Sequence, residues 1–271
     1  HTREASPTFK TTGDWQDHDH PRMLCDVNGD GLPDTVGFHV NYTQVYINSG
    51  KSFASAESKD YNGGWTSAFS WNDGWRAEDK HRRTCADVNG DGMADIIGFG
   101  DNTTFVQVST GRGFIPFAKV NGFANNKWDF TEEIRGVQDL NGDGFADIYG
   151  FESSGRILAA MGTGTGFGPV RNLTGKSDGQ FTGKKGWKAA KHPRFMRDVN
   201  GDGCSDIVGY GTNHAFVRIN RSCDESHGIK PDVLTGIFDG HSLNAGKKFS
   251  KEDQRWYGIR ISYGTIASLR K

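Results

Sequence analysis

An all-β propeller is the fold this sequence predicts, on three observations. A nine-residue pattern, Asp-x-Asn-Gly-Asp-Gly-x-x-Asp, occurs four times, at Asp26–Asp34, Asp87–Asp95, Asp139–Asp147 and Asp198–Asp206. The copies start roughly 50–60 residues apart, the length of one propeller blade. Each copy runs into short apolar stretches bounded by turn residues, with no sustained helical period and no helix caps. The 38 glycines of the 271 residues are spread through the repeats rather than gathered in a linker, so they mark many turns.

Each repeat has the same order of parts. A tryptophan opens it: Trp15, Trp75, Trp128 and Trp187. His20, His81, Glu133 or His192 stands six residues before the first Asp, and Arg22, Arg83, Arg135 or Arg194 four before it. After the nonapeptide comes a strand ending in glycine and an aromatic residue: Gly37-Phe38, Gly98-Phe99, Gly150-Phe151 and Gly209-Tyr210. A second strand follows, such as Gln44–Ile47 or Phe105–Val108, and then a Gly…Phe turn into a further one. The unit reads as three or four antiparallel strands whose two apolar faces are buried only against neighbouring blades. The repeated glycines are expected to let inner strands crowd near the axis.

The expected boundaries are a propeller over 1–223, with repeats near 15–74, 75–127, 128–186 and 187–223. Residues 1–14 are expected to supply the outer strand of the last blade. Residues 224–271 lack the nonapeptide and read as a β-rich extension, either a partial blade or a docked hairpin.

The chemistry of the nonapeptide is that of calcium, a hard cation that takes six to eight oxygens. The ligands expected in the first loop are Asp26, Asn28, Asp30, the backbone carbonyl of Leu32, and Asp34. In the second they are Asp87, Asn89, Asp91, Met93 and Asp95. In the third they are Asp139, Asn141, Asp143, Phe145 and Asp147, and in the fourth Asp198, Asn200, Asp202, Cys204 and Asp206. Position 7 offers only its carbonyl, so its side chain is expected to vary freely. The metal-free alternative is four Asx-type turns, but carboxylates held together without a cation repel one another.

The run from Trp187 to Gly211, Trp-x4-His-Pro-Arg-x3-Asp-Val-Asn-Gly-Asp-Gly-x2-Asp-Ile-Val-Gly-Tyr-Gly, resembles the FG-GAP/VCBS repeat. Its version in mushroom propeller lectins of the Psathyrella velutina type is the nearest in framing, and the likeness covers residues 15 to about 223. It implies a blade that holds calcium and a ring of six or seven blades. It also implies N-acetylglucosamine-type sugars bound between adjacent blades. Four repeats are fewer than such a ring contains. The calcium motif by itself is also similar to integrin α-subunit repeats.

A pyranose packs its apolar face on an aromatic ring while its hydroxyls need fixed polar partners. Trp15, Trp75, Trp128 and Trp187 are therefore candidate sugar platforms, with His20, His81, His192, Arg22, Arg83, Arg135 and Arg194 as polar partners. The competing roles are core wedges for the tryptophans and ties to a neighbouring blade's backbone for the arginines. Glu133 in place of histidine marks the third site as degenerate or differently tuned.

The cysteines have no C-x-x-C spacing, against zinc or a redox pair. Cys25 stands one residue before its loop and Cys85 two before its own, so they point to opposite faces of equivalent strands. Faces of that kind meet between blades, which predicts Cys25–Cys85 and leaves Cys204–Cys223. Calcium loops, paired cysteines and the sequons at Asn41, Asn102, Asn172 and Asn220 together predict a secreted glycoprotein.

A net charge of −1 leaves no basic footprint for nucleic acid, and no apolar run is long enough to span a membrane. No Gly-x-Ser-x-Gly, His-Glu-x-x-His or phosphate loop is present. The functional expectation is a non-catalytic, multivalent lectin with structural Ca2+, its partners glycans or glycoconjugates. The alternatives are an integrin-like propeller that binds a protein and an accessory module of a larger secreted enzyme or toxin.

Overall fold

The computed structural model describes residues 15, 19–55, 64–76, 80–128, 133–174, 181–220 and 243–244. Four antiparallel sheets of four strands follow one another along the chain. The first contains β1 (Arg22–Cys25), β2 (Asp34–Phe38), β3 (Thr43–Asn48) and β4 (Phe53–Ser55). The second contains β5 (Arg83–Ala86), β6 (Asp95–Phe99), β7 (Thr104–Ser109) and β8 (Phe114–Val120). The third contains β9 (Ile134–Gln138), β10 (Asp147–Phe151), β11 (Ile157–Ala160) and β12 (Arg171–Asn172). The fourth contains β13 (Arg194–Arg197), β14 (Asp206–Tyr210), β15 (Ala215–Arg218) and β16 (Leu243–Asn244). The inner strands β1, β5, β9 and β13 pack side by side in that order. Among the described residues the fold is an all-β propeller of four blades. Among the described residues the only helices are single 3-10 turns at Asn125–Lys127 and Gly183–Lys185, and none could cross a membrane.

The outer edge of the last blade receives a strand from the chain beyond residue 223. Leu243–Asn244 pairs with Phe216 and Val217 as the fourth strand of the last blade, so the chain beyond residue 223 contributes to that blade. Residues 1–14 lie outside the described residues.

Each second strand shows why the blades stack. Asp95–Phe99 and Asp147–Phe151 are buried at all five positions, because both faces of the sheet are covered. Ile96 faces back into a cluster with Cys25, Val36, Phe38 and Val45 of the first blade. Its neighbour Ile97 faces forward into a cluster with Ile148, Leu158 and Ala160 of the third. Alternation along one strand thus feeds two cores. The expected disulfide Cys25–Cys85 joins the inner strands of the first two blades, with Cα atoms 6.4 Å apart. Cys204 is disulfide-bonded too; its expected partner, Cys223, lies outside the described residues.

The repeated glycines serve a purpose other than crowding at the axis. A Cβ at Gly98 would collide with Trp75 and Phe69, one at Gly150 with Trp128, and one at Gly209 with Phe181 and Trp187. The strand gives up its side chain so that the opening tryptophan can approach the backbone closely.

Gly150→Ala is expected to cost about 1–3 kcal/mol through overpacking. Gly166, where a Cβ would meet nothing within 4 Å, is the control. Thermal unfolding of the two variants checks this; equal midpoints would mean that Trp128 shifts without cost.

Candidate functional site

Two sets of repeated residues carry chemistry, and they sit at opposite ends of each blade. The nonapeptide joins first strand to second at one end. The tryptophan, histidine and arginine sit at the other, near the turn from second strand to third.

In the first loop the Asp26 carboxylate accepts from the backbone N–H groups of Gly29 (2.8 Å) and Gly31 (2.7 Å). Asp30 accepts from Leu32 N–H (2.9 Å) and from the Asn28 amide (3.0 Å). Glycines 29 and 31 take φ of 74° and 82°, which the tight turn requires. The other three loops repeat these bonds. The ninth residue does something further. Asp34, Asp95, Asp147 and Asp206 are fully buried. Each accepts one bond from a backbone N–H in its own loop (Val27, Val88, Leu140, Val199) and a second from the end of the third strand or just beyond it (Asn48, Ser109, Gly162, Asn220). It staples three parts of a blade together.

The loops also join blade to blade. Ala94 N–H donates to the Asp26 carbonyl (2.6 Å), Ala146 N–H to the Asp87 carbonyl (2.9 Å), and the Ser205 hydroxyl to the Asp139 carbonyl (2.5 Å). The side chain at position 7, expected to vary freely, is constrained. Met93 packs towards Gly29 of the preceding loop and Gly111 of its own blade, and Phe145 likewise towards Gly90 and Gly164.

Among the described residues no group of three or more His, Cys, Asp or Glu side chains is gathered as a metal site. The donor chemistry nevertheless suits a hard cation. Burial raises the ninth carboxyl above its ordinary range, and the charges of the first and fifth aspartates raise it further. Asp95 reaches about 7, Asp147 about 8 and Asp206 about 6. A cation would relieve that mutual repulsion.

At the opposite end the repeated residues do converge. The tryptophan and histidine rings meet edge to face at 6.0 Å for Trp15–His20, 5.6 Å for Trp75–His81 and 5.5 Å for Trp187–His192. The arginine lies over the same tryptophan in the first, third and fourth groups, at 5.8–5.9 Å. Trp15, Trp75 and Trp128 are buried, as are His20, His81, Arg83, Arg135 and Arg194. Trp187, His192 and Arg22 are half-buried.

The arginine clamps two blades. Arg83 lies 5.1 Å from Phe38, Arg135 4.9 Å from Phe99 and Arg194 5.7 Å from Phe151, in each case the aromatic residue of the preceding blade. Arg83 also donates to the Phe69 carbonyl (3.1 Å) and Arg135 to the Phe123 carbonyl (2.6 Å). Burial lowers Arg135 and Arg194 to about 10. Phe69 and Phe181 are aromatic seats that sequence reasoning missed. They precede Trp75 and Trp187 by six residues and take φ of 63° and 68°, which no pattern of hydrophobicity signals.

The residue six before the loop ties down a turn. His81 Nε2 is 3.3 Å from Asp101, Glu133 accepts from Ser153 N–H (2.7 Å), and His192 Nε2 is 3.3 Å from Thr212, each pair 20 residues apart. Glutamate therefore occupies the same post as histidine. Burial lowers the His81 pKa, and the bond from Lys80 lowers that of Asp101.

No protein-family model and no curated protein matches the chain. It is similar to a solved lectin of Agrocybe aegerita, described for specific recognition of non-reducing terminal N-acetylglucosamine. The identity is 30%, the TM-score 0.71, and the match covers 89% of this chain and 55% of the lectin's. The chain thus spans about half the length of the lectin it matches. A Tc holotoxin pore of Photorhabdus luminescens matches at 16% identity and a TM-score of 0.49, over 85% of this chain and 10% of the toxin's.

The raised carboxyls set a pH dependence. Each binds its proton more tightly folded than unfolded, so the folded state holds more protons from about pH 4 up to the folded value. Stability therefore falls as pH rises through that window and levels off above it. Metal-free protein is expected to show a thermal midpoint that declines between about pH 5 and about pH 8. A midpoint that climbs across that range would mean the ninth carboxyls are ionised in the fold.

Proposed function

We propose that this chain is a non-catalytic lectin of the FG-GAP/VCBS type that binds N-acetylglucosamine-type glycans outside the cell. The observation that carries this reading is the 30% identity and 0.71 TM-score to the Agrocybe lectin over 89% of the chain. The Trp–His–Arg groups support it, because each sets an aromatic ring beside fixed polar groups.

The fourth group is the most open. Trp187 and His192 are half-buried and Thr212 is exposed beside them, so this junction offers a ring and polar partners to a sugar. The buried tryptophans of the first three groups build and hold their junctions. The protein is expected to be retained on immobilised N-acetylglucosamine and released by the free sugar. Trp187→Ala is expected to weaken retention, with a smaller fall in thermal midpoint than the same change at a fully buried repeat tryptophan, because the Trp187 ring is only half-buried. Trp128→Ala is expected to lower the midpoint by several degrees through loss of a buried ring. Undiminished retention by Trp187→Ala would place the sugar elsewhere.

Calcium belongs to the same reading as a structural ion. Asp26, Asn28 and Asp30, with the Leu32 carbonyl and Asp34, would hold it in the first loop, and their counterparts in the other three. It would supply positive charge beside the ninth carboxyl, whose ionisation the first and fifth aspartates of the loop oppose. A ligand bound only by the folded state stabilises it by mass action. Chelation is therefore expected to lower the thermal midpoint and added Ca2+ to restore it; a midpoint indifferent to both would count against the ion.

A further inference from the structure

The sequence holds Asn-x-Ser/Thr triplets at Asn41, Asn102, Asn172 and Asn220, and the fold treats them in two ways. Asn41 lies in the turn between β2 and β3, and Asn102 in the turn between β6 and β7, the same place in the first and second blades. Both are exposed. The side-chain carbonyl of Asn41 accepts from the Asn72 amide (2.6 Å), and that of Asn102 from the Asn126 amide (3.4 Å). Among the described residues neither Asn41 nor Asn102 has a partner on its own amide nitrogen. That nitrogen is the atom to which an N-linked glycan is joined.

The other two asparagines are used by the fold. Asn220 is fully buried, and its amide donates to the Leu140 carbonyl (2.8 Å) of the third blade and to the Ser205 carbonyl (3.2 Å) of its own. A sugar there would take one N–H out of that seam and stand in space that packing has closed. Asn172 pairs with Leu158 across two antiparallel strands, so the two share a face. That face turns to the second blade. Leu158 belongs to the cluster with Ile97 and Val106, and Val170, two residues before Asn172, lies against Gly122. Asn172 is half-buried there, its side-chain carbonyl held by the Thr174 hydroxyl (2.6 Å) and N–H (3.1 Å).

We infer that Asn41 and Asn102 are N-glycosylation sites of this protein and that Asn172 and Asn220 are not. The inference rests on the setting outside the cell proposed above. The donor is an oligosaccharide joined through N-acetylglucosamine to a lipid pyrophosphate, the form met by a chain entering the secretory route. The asparagine amide nitrogen bonds to C1 of that sugar, the bond from C1 to the pyrophosphate oxygen breaks, the lipid pyrophosphate leaves, and the amide gives up one proton. Thr43 and Thr104, the third residues of the two triplets, are fully buried in the fold, and the Thr43 hydroxyl donates to the Ala68 carbonyl (3.0 Å). Transfer therefore takes place on the extended chain, and the fold then decides which modified chains can close. The two turns stand at the tryptophan–histidine end of their blades. One carries His39, 4.9 Å from Trp15, and the other carries Asp101, the partner of His81. The corresponding turns of the third and fourth blades, Ser153-Ser154-Gly155 and Asn213-His214-Ala215, hold no triplet. The glycans thus flank the first two groups and leave Trp187 open.

The test expresses the full chain behind a secretion signal in yeast. Peptides are mapped after peptide-N-glycosidase treatment, which converts each modified asparagine to aspartate. The expected result is conversion at Asn41 and Asn102 and none at Asn172 or Asn220, with the intact mass falling by two glycans. Asn41→Gln and Asn102→Gln are each expected to remove one glycan, and the double variant both. Mapping the unaltered protein keeps the result readable if a variant folds poorly. Secreted protein that is unmodified at Asn41 or Asn102, or modified at Asn172 or Asn220, overturns the inference. Retention of the double variant on immobilised N-acetylglucosamine reports separately on the lectin reading, whose failure would leave the mapped sites unchanged.

Discussion

Ile96 and Ile97 are adjacent in sequence and face opposite ways, one into the seam with the first blade and the other into the seam with the third. A four-stranded sheet of this kind has two apolar faces and no interior of its own, so it is stable only between neighbours. The rest of the structure serves that constraint. The arginine before each loop reaches over the preceding blade's aromatic residue, the loops exchange backbone bonds, and one disulfide covalently joins the first seam.

The division of labour within a blade follows from where the burial is. At the loop end, the ninth aspartate is sealed in, and its two oxygens take backbone N–H groups from parts of the chain about 20 residues apart. Such a carboxylate resists ionisation unless something positive comes near, which is why the loop is suited to a cation even though its own turn already satisfies much of it. At the other end the tryptophan rests on a glycine, the histidine holds a turn and the arginine holds a seam. A sugar at that end would meet a wall already fixed by packing, with little ordering left to do on binding.

The position six before each loop shows how a sequence pattern can mislead about role. Glu133 in place of histidine reads as a degenerate or differently tuned site. In the fold it holds Ser153 as His81 holds Asp101, so what recurs is a hydrogen-bonding partner for a turn 20 residues on. Position 7 misleads the other way: a place where Leu32, Met93, Phe145 and Cys204 alternate looks unconstrained. Met93 and Phe145 nonetheless fill space between two glycines, one of them in the preceding blade.

The sequence by itself determined the repeat, the strand order within a blade and the Cys25–Cys85 pairing. All of these follow from local period and from alternation along a strand, which need no knowledge of distant contacts. Tertiary structure alone decided three other matters. It put Leu243–Asn244 at the edge of the fourth blade, a pairing across a long stretch of chain that no local signal encodes. It buried the tryptophans of three repeats and left Trp187 half-open, because the burial of an aromatic ring depends on what the neighbouring blade places over it. It also gave Phe69 and Phe181 their positive φ, a local cost met by packing against Gly98, Trp75, Gly209 and Trp187, groups that come together only when the blades stack.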